Sequence, residues 1–267
     1  MIVDIHIHTS SPGAVFRREE VDDALRLARR SGIDRVVYLF NLGTGGPDPS
    51  PEDIVASNNL GMQLVDAHPD FFMGFCYLNP AHDVDFSLGE IERCVVKGNM
   101  CGIKLWIAVH ATDQRLDPIM RRAAELGLPV LHHAWYKMTK FVFNESTAAE
   151  VADLARRHPD VTIIMAHLAG VRWRGVLDVK PYPNVVVDTS GAIADSGLVE
   201  YAVRHLGPER VVFGSDWPIR DFAVQKARVT GARVDEAAKR LILGENAARI
   251  LKLGGGTAAG REVSSGV

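Results

Sequence analysis

Short β-branched segments alternate with amphipathic segments along almost the whole chain, and this alternation constrains the fold more than any other feature. The predicted strands are rich in Val, Ile and Leu and are bounded by Gly, Pro, Asp or Asn, as buried parallel strands usually are. They are Ile2–Ile7, Arg35–Phe40, Phe72–Tyr77, Gly102–Trp106, Pro129–His133, Thr162–Ala166, Val185–Asp188 and Arg210–Gly214.

Helical spacing of apolar residues follows or separates these strands. The predicted helices are Glu19–Arg30, Asp53–Ala67, Phe86–Lys97, Leu116–Leu126, Thr147–Arg157, Val171–Tyr182, Leu198–Leu206 and Asp235–Leu243. Strict alternation predicts parallel strands with right-handed crossovers, and eight units in about 250 residues favour a closed (β/α)8 TIM barrel over an open sheet. We expect one barrel domain over residues 1–253 and a disordered tail over 254–267.

Composition excludes several classes of protein. The 267 residues carry a formal net charge of −3, which argues against a general binder of nucleic acids or anionic membranes. The three cysteines form no CxxC pair, so neither a disulfide scaffold nor a cysteine zinc finger is expected. The first ten residues lack a signal-peptide pattern, and no apolar run approaches the roughly 20 residues that span a bilayer. We therefore expect a cytoplasmic protein that acts on a small molecule.

Two histidines close the first predicted strand. Because residues i and i+2 of a strand share a face, His6 and His8 should point to one side while Ile5 and Ile7 point to the other. Two imidazoles on one face suit chelation of a divalent metal. Alone, the pair also fits one buried structural histidine and one surface histidine.

Further reactive residues follow other predicted strands. His132 and His133 end the fifth strand, and His133 is expected at the barrel mouth because neighbouring strand residues face opposite sides. His167 follows the sixth strand and Asp216 follows the eighth. Each alone also fits a structural role, but catalytic residues of such barrels lie at the C-terminal ends of strands. All of these side chains would converge there.

The motifs DIHIH, PVLHHA, IIMAHLAG and FGSDWP resemble those of the amidohydrolase superfamily. The chain is most similar to its subgroup of metal-dependent hydrolases, lactonases and non-oxidative decarboxylases. The resemblance implies one divalent metal ion bound by His6, His8, His133 and Asp216, and a substrate-contacting or proton-transferring role for His167. A set of nitrogen and oxygen ligands suits Zn²⁺ first, with Mn²⁺ as an alternative. The resemblance also allows a homodimer.

The leading expectation is hydrolysis of an amide, ester or lactone. A metal-activated water would attack the carbonyl, Asp216 would take and return the proton, and His167 would stabilise the oxyanion. The alternative is non-oxidative decarboxylation of a small unsaturated or aromatic acid. In that reaction the metal would bind a substrate oxygen, and His167 or Asp216 would protonate carbon.

Four residues are predicted to contact the substrate. Lys104 on the fourth strand and Arg172 after the sixth could bind an acidic group. Trp106 could line an aromatic pocket, and Ser190 could donate a hydrogen bond from the end of the seventh strand. A second metal bridged by a carboxylated Lys104 is a further alternative for that lysine.

Overall fold

The structure, a computed structural model, describes residues 1–136, 143–191 and 195–253. In this part of the chain eight parallel strands form one sheet in the order β1 to β8. Their bounds are β1 Val3–Thr9, β2 Arg35–Asn41, β3 Phe72–Leu78, β4 Gly102–Leu105, β5 Val130–His132, β6 Ile163–Met165, β7 Val185–Asp188 and β8 Val211–Val212. The predicted tail over 254–267 lies outside the described residues.

Backbone hydrogen bonds between the two ends of the sheet close it into a barrel. The Ile5 N–H donates to the Phe213 carbonyl at 2.9 Å, and the His8 N–H donates to the Trp217 carbonyl at 2.7 Å. The segment that follows β8 is thus bonded to β1, and the predicted (β/α)8 TIM barrel is confirmed.

Helices cover the outside of the barrel. They are α1 Arg18–Arg30, α2 Pro51–Ala67, α3 Val84–Ile91, α4 Asp117–Leu126, α5 Ala148–Arg157, α6 Leu168–Val179, α7 Leu198–Leu206, α8 Phe222–Thr230, α9 Glu236–Arg240 and α10 Asn246–Ile250. Two π-helical turns, Glu92–Val96 and Leu241–Glu245, extend α3 and α9. None of the described helices is both long and apolar enough to cross a lipid bilayer.

The sequence prediction did not include α8. Its buried face carries only Phe222, Gln225 and Val229, so a polar residue interrupts the apolar spacing, while Val224 lies exposed. The side chain of Asp221 accepts the N–H groups of the first turn and starts the helix. Helical periodicity therefore does not reveal α8, although the sequence contains an aspartate at the position that starts the helix.

The buried side chains form two apolar layers, one inside the barrel and one between the strands and the helices. Strand β1 departs from simple alternation. Ile5 packs inside the barrel, whereas Ile7 packs in the outer layer, because the register of β1 against β2 shifts on both sides of Ile7. The expectation that Ile5 and Ile7 share a face is therefore wrong, and the shift lets both His6 and His8 reach the mouth.

Candidate active site

A cavity of about 240 Å³ opens at the C-terminal ends of the strands. Histidines and carboxylates lie at its base, aromatic and aliphatic side chains form its walls, and two cationic side chains reach it. Its lining residues are His6, His8, Phe40, Leu42, Lys104, Trp106, His133, Trp135, Glu145, His167, Asp216, Ile219 and Arg220.

Three donor atoms meet at the base of this cavity. The Nε2 atoms of His6 and His8 are 3.1 Å apart, and Oδ1 of Asp216 lies 3.5 Å from the first and 3.4 Å from the second. All three residues are buried. Two ligands bound to one ion at about 2.1 Å lie about 3.0–3.4 Å apart for octahedral or tetrahedral angles. The observed spacings fit a single divalent ion.

The hydrogen bonds behind the two imidazoles direct their electron pairs at one another. The Nδ1–H of His6 donates to Asp188 at 2.7 Å, and the Nδ1–H of His8 donates to the carbonyl of Phe40 at 3.2 Å. Burial lowers the pKa of His8 to about 4, so its Nε2 is unprotonated at neutral pH. Burial would raise the pKa of Asp216, but the neighbouring histidines hold it well below its usual range. Three converging electron pairs need a cation between them.

Close approach of β8 to β1 brings Asp216 to the histidines. A Cβ atom added at Gly214 would lie 2.9 Å from the Cβ of His6, so a side chain there would push the two strands apart. Asp216 itself adopts a left-handed backbone with φ of 66° and donates its N–H to the carbonyl of His6. The turn directs its carboxylate back over the barrel mouth.

A second pair of histidines lies beside the first. The Nδ1 of His133 and the Nε2 of His167 are 3.1 Å apart, and the Nε2–H of His133 donates to Glu145 at 2.8 Å. Burial lowers the pKa of both imidazoles. His133 lines the cavity, but among the described residues it belongs to neither group of three possible metal donors that lie within 4.8 Å of one another. These groups are His6, His8 and Asp216, and His6, His167 and Asp188. The role of His133 as a metal ligand stays a prediction.

The structure separates His133 from its neighbour His132. His132 is fully buried, does not line the cavity, and donates its Nδ1–H to the carbonyl of His133 at 2.7 Å. Within the described part of the chain its Nε2 has no hydrogen-bond partner. Strand alternation thus turns His133, and not His132, toward the cavity.

Lys104 is buried at the cavity with only 1% of its surface exposed. Its Nζ lies 5.8 Å from the ring centroid of Phe40, and among the residues that the structure describes no hydrogen-bond acceptor contacts it. Burial lowers the pKa of Lys104 to about 7. Trp106 packs at 4.9 Å from Phe40 and forms the wall beside the lysine. Both residues therefore lie where substrate contact was predicted.

Two predicted substrate contacts do not reach the cavity. Arg172 lies on α6, is 38% exposed and pairs with Asp195 at 3.2 Å, because its left-handed backbone turns it away from the barrel. Ser190 is fully buried, and its hydroxyl contacts His167, Asp188 and, at 3.4 Å, Nδ1 of His6 instead of the cavity. Neither side chain lines the cavity, and their role in substrate binding stays a prediction. Arg220 lines the mouth and supplies the second cation.

Sequence reasoning missed two carboxylates that hold the histidines. Asp188 bonds His6 and Glu145 bonds His133, and both acids are buried. Asp188 follows an apolar strand, as Asp216 does, and the cost of burying an unpaired carboxylate was a usable signal. Glu145 lies in a connection without periodicity, so no local signal pointed to it.

A (β/α)8 barrel with buried donors at its C-terminal mouth is the arrangement of a barrel enzyme. Residues 3–253 match the amidohydrolase family, and the chain belongs to that family, as its motifs predicted. It is thus an enzyme of the amidohydrolase superfamily.

Relatives in this superfamily carry out different reactions. The chain is 25% identical to the gamma-resorcylate decarboxylase of Rhodococcus jostii (strain RHA1) in an alignment of 289 positions, gaps included, that covers 87% of each protein. It is 28% identical to the L-fucono-1,5-lactonase of Burkholderia multivorans (strain ATCC 17616 / 249) in an alignment of 159 positions, gaps included, that covers 47% of this chain and 52% of the lactonase.

A solved structure shares the fold. The dihydroxybenzoic acid decarboxylase from Polaromonas sp. JS666, solved with bound manganese and the inhibitor 2-nitroresorcinol, superposes with a TM-score of 0.77 at 18% identity. The match covers 94% of this chain and 97% of that chain.

Proposed function

We propose that this chain is a metal-dependent, non-oxidative decarboxylase of a small aromatic or unsaturated acid, with residues 1–253 as its catalytic domain. The observation that carries the proposal is Lys104, a buried amine that has no hydrogen-bond acceptor among the described residues and lies beside an aromatic wall and a metal-type donor cluster. Such a site suits a planar anion. The decarboxylase relative covers 87% of the chain and the lactonase relative 47%, which favours this reaction over the expected hydrolysis.

The proposed ligands of the divalent ion are His6, His8, His133 and Asp216. Mn²⁺ becomes the first candidate and Zn²⁺ the second, because a structure of the same fold was solved with manganese. A divalent ion bound there supplies a Lewis acid that polarises a substrate oxygen.

The other residues bind and orient the acid. Lys104 pairs with its negative charge, while Phe40, Trp106 and Trp135 hold the planar part and exclude water. The bond between the carboxylate and its carbon breaks, CO₂ leaves, and the electron pair on that carbon takes a proton. His167 and Asp216 are the two proposed carriers of this proton, because both side chains line the cavity. Each would first take the proton from a hydroxyl of the substrate or from water and then pass it to the carbon.

The test measures CO₂ release from the purified protein loaded with Mn²⁺. We expect turnover of a 2,6-dihydroxybenzoate-type acid, with one solvent deuterium incorporated at the carbon that loses CO₂. Lys104→Met should keep the fold and lose most of this activity. The same assay is run with other small aromatic and unsaturated acids. Proton release from lactones or esters, with no CO₂ from any of these acids, would contradict the proposal and favour hydrolysis.

A further inference from the structure

We propose that Asp188 is a positioning residue that fixes the tautomers of two active-site histidines at once, one on each side of the cavity. It holds His6 directly and His167 through Ser190. Asp188 does not line the cavity, so it acts through these side chains and touches no substrate.

One carboxylate oxygen of Asp188 is hydrogen-bonded to His6. Its Oδ2 accepts the Nδ1–H of His6 at 2.7 Å, and both side chains are almost completely buried. The residues are 182 positions apart in the chain, on β7 and β1. With its proton held on Nδ1, the imidazole presents an unprotonated Nε2 to His8 and Asp216.

The other carboxylate oxygen of Asp188 is hydrogen-bonded to His167, which follows β6, and to Ser190. Oδ1 accepts the backbone N–H groups of His167 and Ser190, each at 2.9 Å, and also the hydroxyl of Ser190. Because that hydroxyl donates to Asp188, its oxygen must accept from the Nδ1–H of His167, 2.9 Å away. The Nε2 of His167 is therefore left unprotonated toward His133.

Among the described residues, four donors and no acceptor contact this carboxylate, so these contacts are satisfied only by the ionised form. An asparagine cannot replace it. Its amide oxygen would accept the hydrogen bonds from His167 and Ser190. Its NH₂ group would then take the place of Oδ2 and face Nδ1 of His6. That nitrogen would then have to accept, and the proton would move to Nε2, which removes the electron pair directed at the metal position.

The experiment measures the affinity of the full-length protein for Zn²⁺ by competition with a chelator. Asp188→Asn should bind about 10- to 100-fold more weakly than the wild type. Ser190→Ala removes a 3.4 Å contact between the Ser190 hydroxyl and Nδ1 of His6 but leaves the 2.7 Å bond from His6 to Asp188 intact. Its affinity should therefore stay within about threefold of wild type while kcat falls.

Thr189→Val provides the matched control. Thr189 is equally buried at the same strand end, but its hydroxyl bonds the backbone of Gly214 and no histidine. Its Zn²⁺ affinity should also stay within about threefold of wild type. Wild-type affinity in a folded Asp188→Asn would overturn the proposal, as would an equal loss in Thr189→Val.

A second readout decides the question if Asp188→Asn does not fold. In ¹⁵N-labelled wild-type protein before metal is added, long-range ¹H–¹⁵N correlations report which imidazole nitrogen carries the proton. The His6 ring, assigned by its loss in His6→Gln, should be protonated on Nδ1, and protonation on Nε2 would overturn the proposal. Neither readout needs a substrate, so failure of the proposed decarboxylation leaves this inference standing.

Discussion

At the scale of single residues, the histidines that converge on the cavity are each oriented by a hydrogen bond from one ring nitrogen. His6 is held by Asp188, His133 by Glu145, and His8 by a backbone carbonyl. These bonds fix which ring nitrogen carries the proton and leave the other nitrogen directed into the site. The cavity is therefore preorganised for a cation before any ligand arrives.

The adjacent histidines of β5 should differ in function. His133→Ala removes a side chain that lines the cavity, and kcat/KM should fall by about 100-fold or more. His132→Ala leaves the cavity intact and should cost mainly stability, about 2–4 kcal/mol for a void behind the strand. Steady-state kinetics and urea unfolding of both variants distinguish the two effects. Equal, complete loss of turnover in two folded variants would contradict the assignment of His133 as the inner residue.

Lys104 should make substrate binding depend on pH. Burial lowers its pKa to about 7, so the side chain is charged below that pH and neutral above it. KM for an anionic substrate should rise as pH increases through about 7, by up to about tenfold per pH unit.

In Lys104→Met the cation is absent at every pH. Its KM should be about 10- to 100-fold higher than that of the wild type at pH 6, because a charge-assisted bond is lost, and should not change between pH 6 and 8 on account of this residue. A wild-type pH profile in Lys104→Met would show that another group is responsible.

At the scale of elements, a buried polar cluster joins α2, α3 and β3 on the outside of the barrel. Glu90 accepts two hydrogen bonds from Arg93, at 2.7 and 2.8 Å, and one from Asn58 at 2.8 Å. Asn58 also bonds the backbone N–H and carbonyl of Tyr77 on β3. Since all of these groups are paired, the cluster fixes how the two helices pack on the strand.

This cluster should give a pH-dependent contribution to stability. Burial would raise the pKa of Glu90, but the bonds from Arg93 and Asn58 hold it below the usual 4.5. The folded state thus binds fewer protons than the unfolded state in acid, and the stabilisation is present above about pH 4.5 and lost as pH falls further. Glu90→Gln should lower the free energy of unfolding by about 1–3 kcal/mol at pH 7, and the difference should shrink below pH 4.5.

Glu92→Gln is the control for this prediction. Glu92 lies in the adjoining turn, but 40% of its side chain is exposed and its ion pairs with Lys97 and Arg122 are 3.6 Å long. Its effect on the urea unfolding curve should be within about 0.5 kcal/mol at either pH. A pH-independent difference between Glu90→Gln and wild type would mean that the carboxylate charge does not contribute.

At the scale of the whole molecule, the donor cluster lies where the barrel closes. His6 and His8 belong to β1, and Asp216 follows β8, so an ion bound to all three would join the first strand to the last. A ligand that binds only the folded state stabilises it by about 2.7 kcal/mol at 100 times its Kd. For a chain of this size, each kcal/mol corresponds to about 2–4 °C in Tm.

Removing the metal should therefore lower Tm by about 5–10 °C. Scanning calorimetry with and without a chelator, followed by readdition of Mn²⁺ or Zn²⁺, measures the change. Asp216→Asn should retain the fold and lose most of this metal-dependent shift along with turnover. A shift as large in Asp216→Asn as in the wild type would place the stabilising ion elsewhere.

Much of this architecture is predictable from local sequence. All eight observed strands begin within one residue of their predicted starts, although β8 is shorter than predicted. The prediction succeeded because buried parallel strands are continuous apolar runs that end at recognisable residues. The same regularity placed His6, His8, His133, His167 and Asp216 at strand ends, and all five line one cavity.

By itself, then, the sequence determined the barrel, the family and the identity of the residues at its mouth, since periodicity and strand-end position are local properties. Only the tertiary structure decided which polar groups pair with them. Asp188 and His6 meet across 182 residues, Ser190 turns to His167 instead of the cavity, and Arg172 turns outward to Asp195. These choices depend on register shifts, left-handed turns and the closure of β8 on β1, which no local pattern records because they arise from contacts between distant segments.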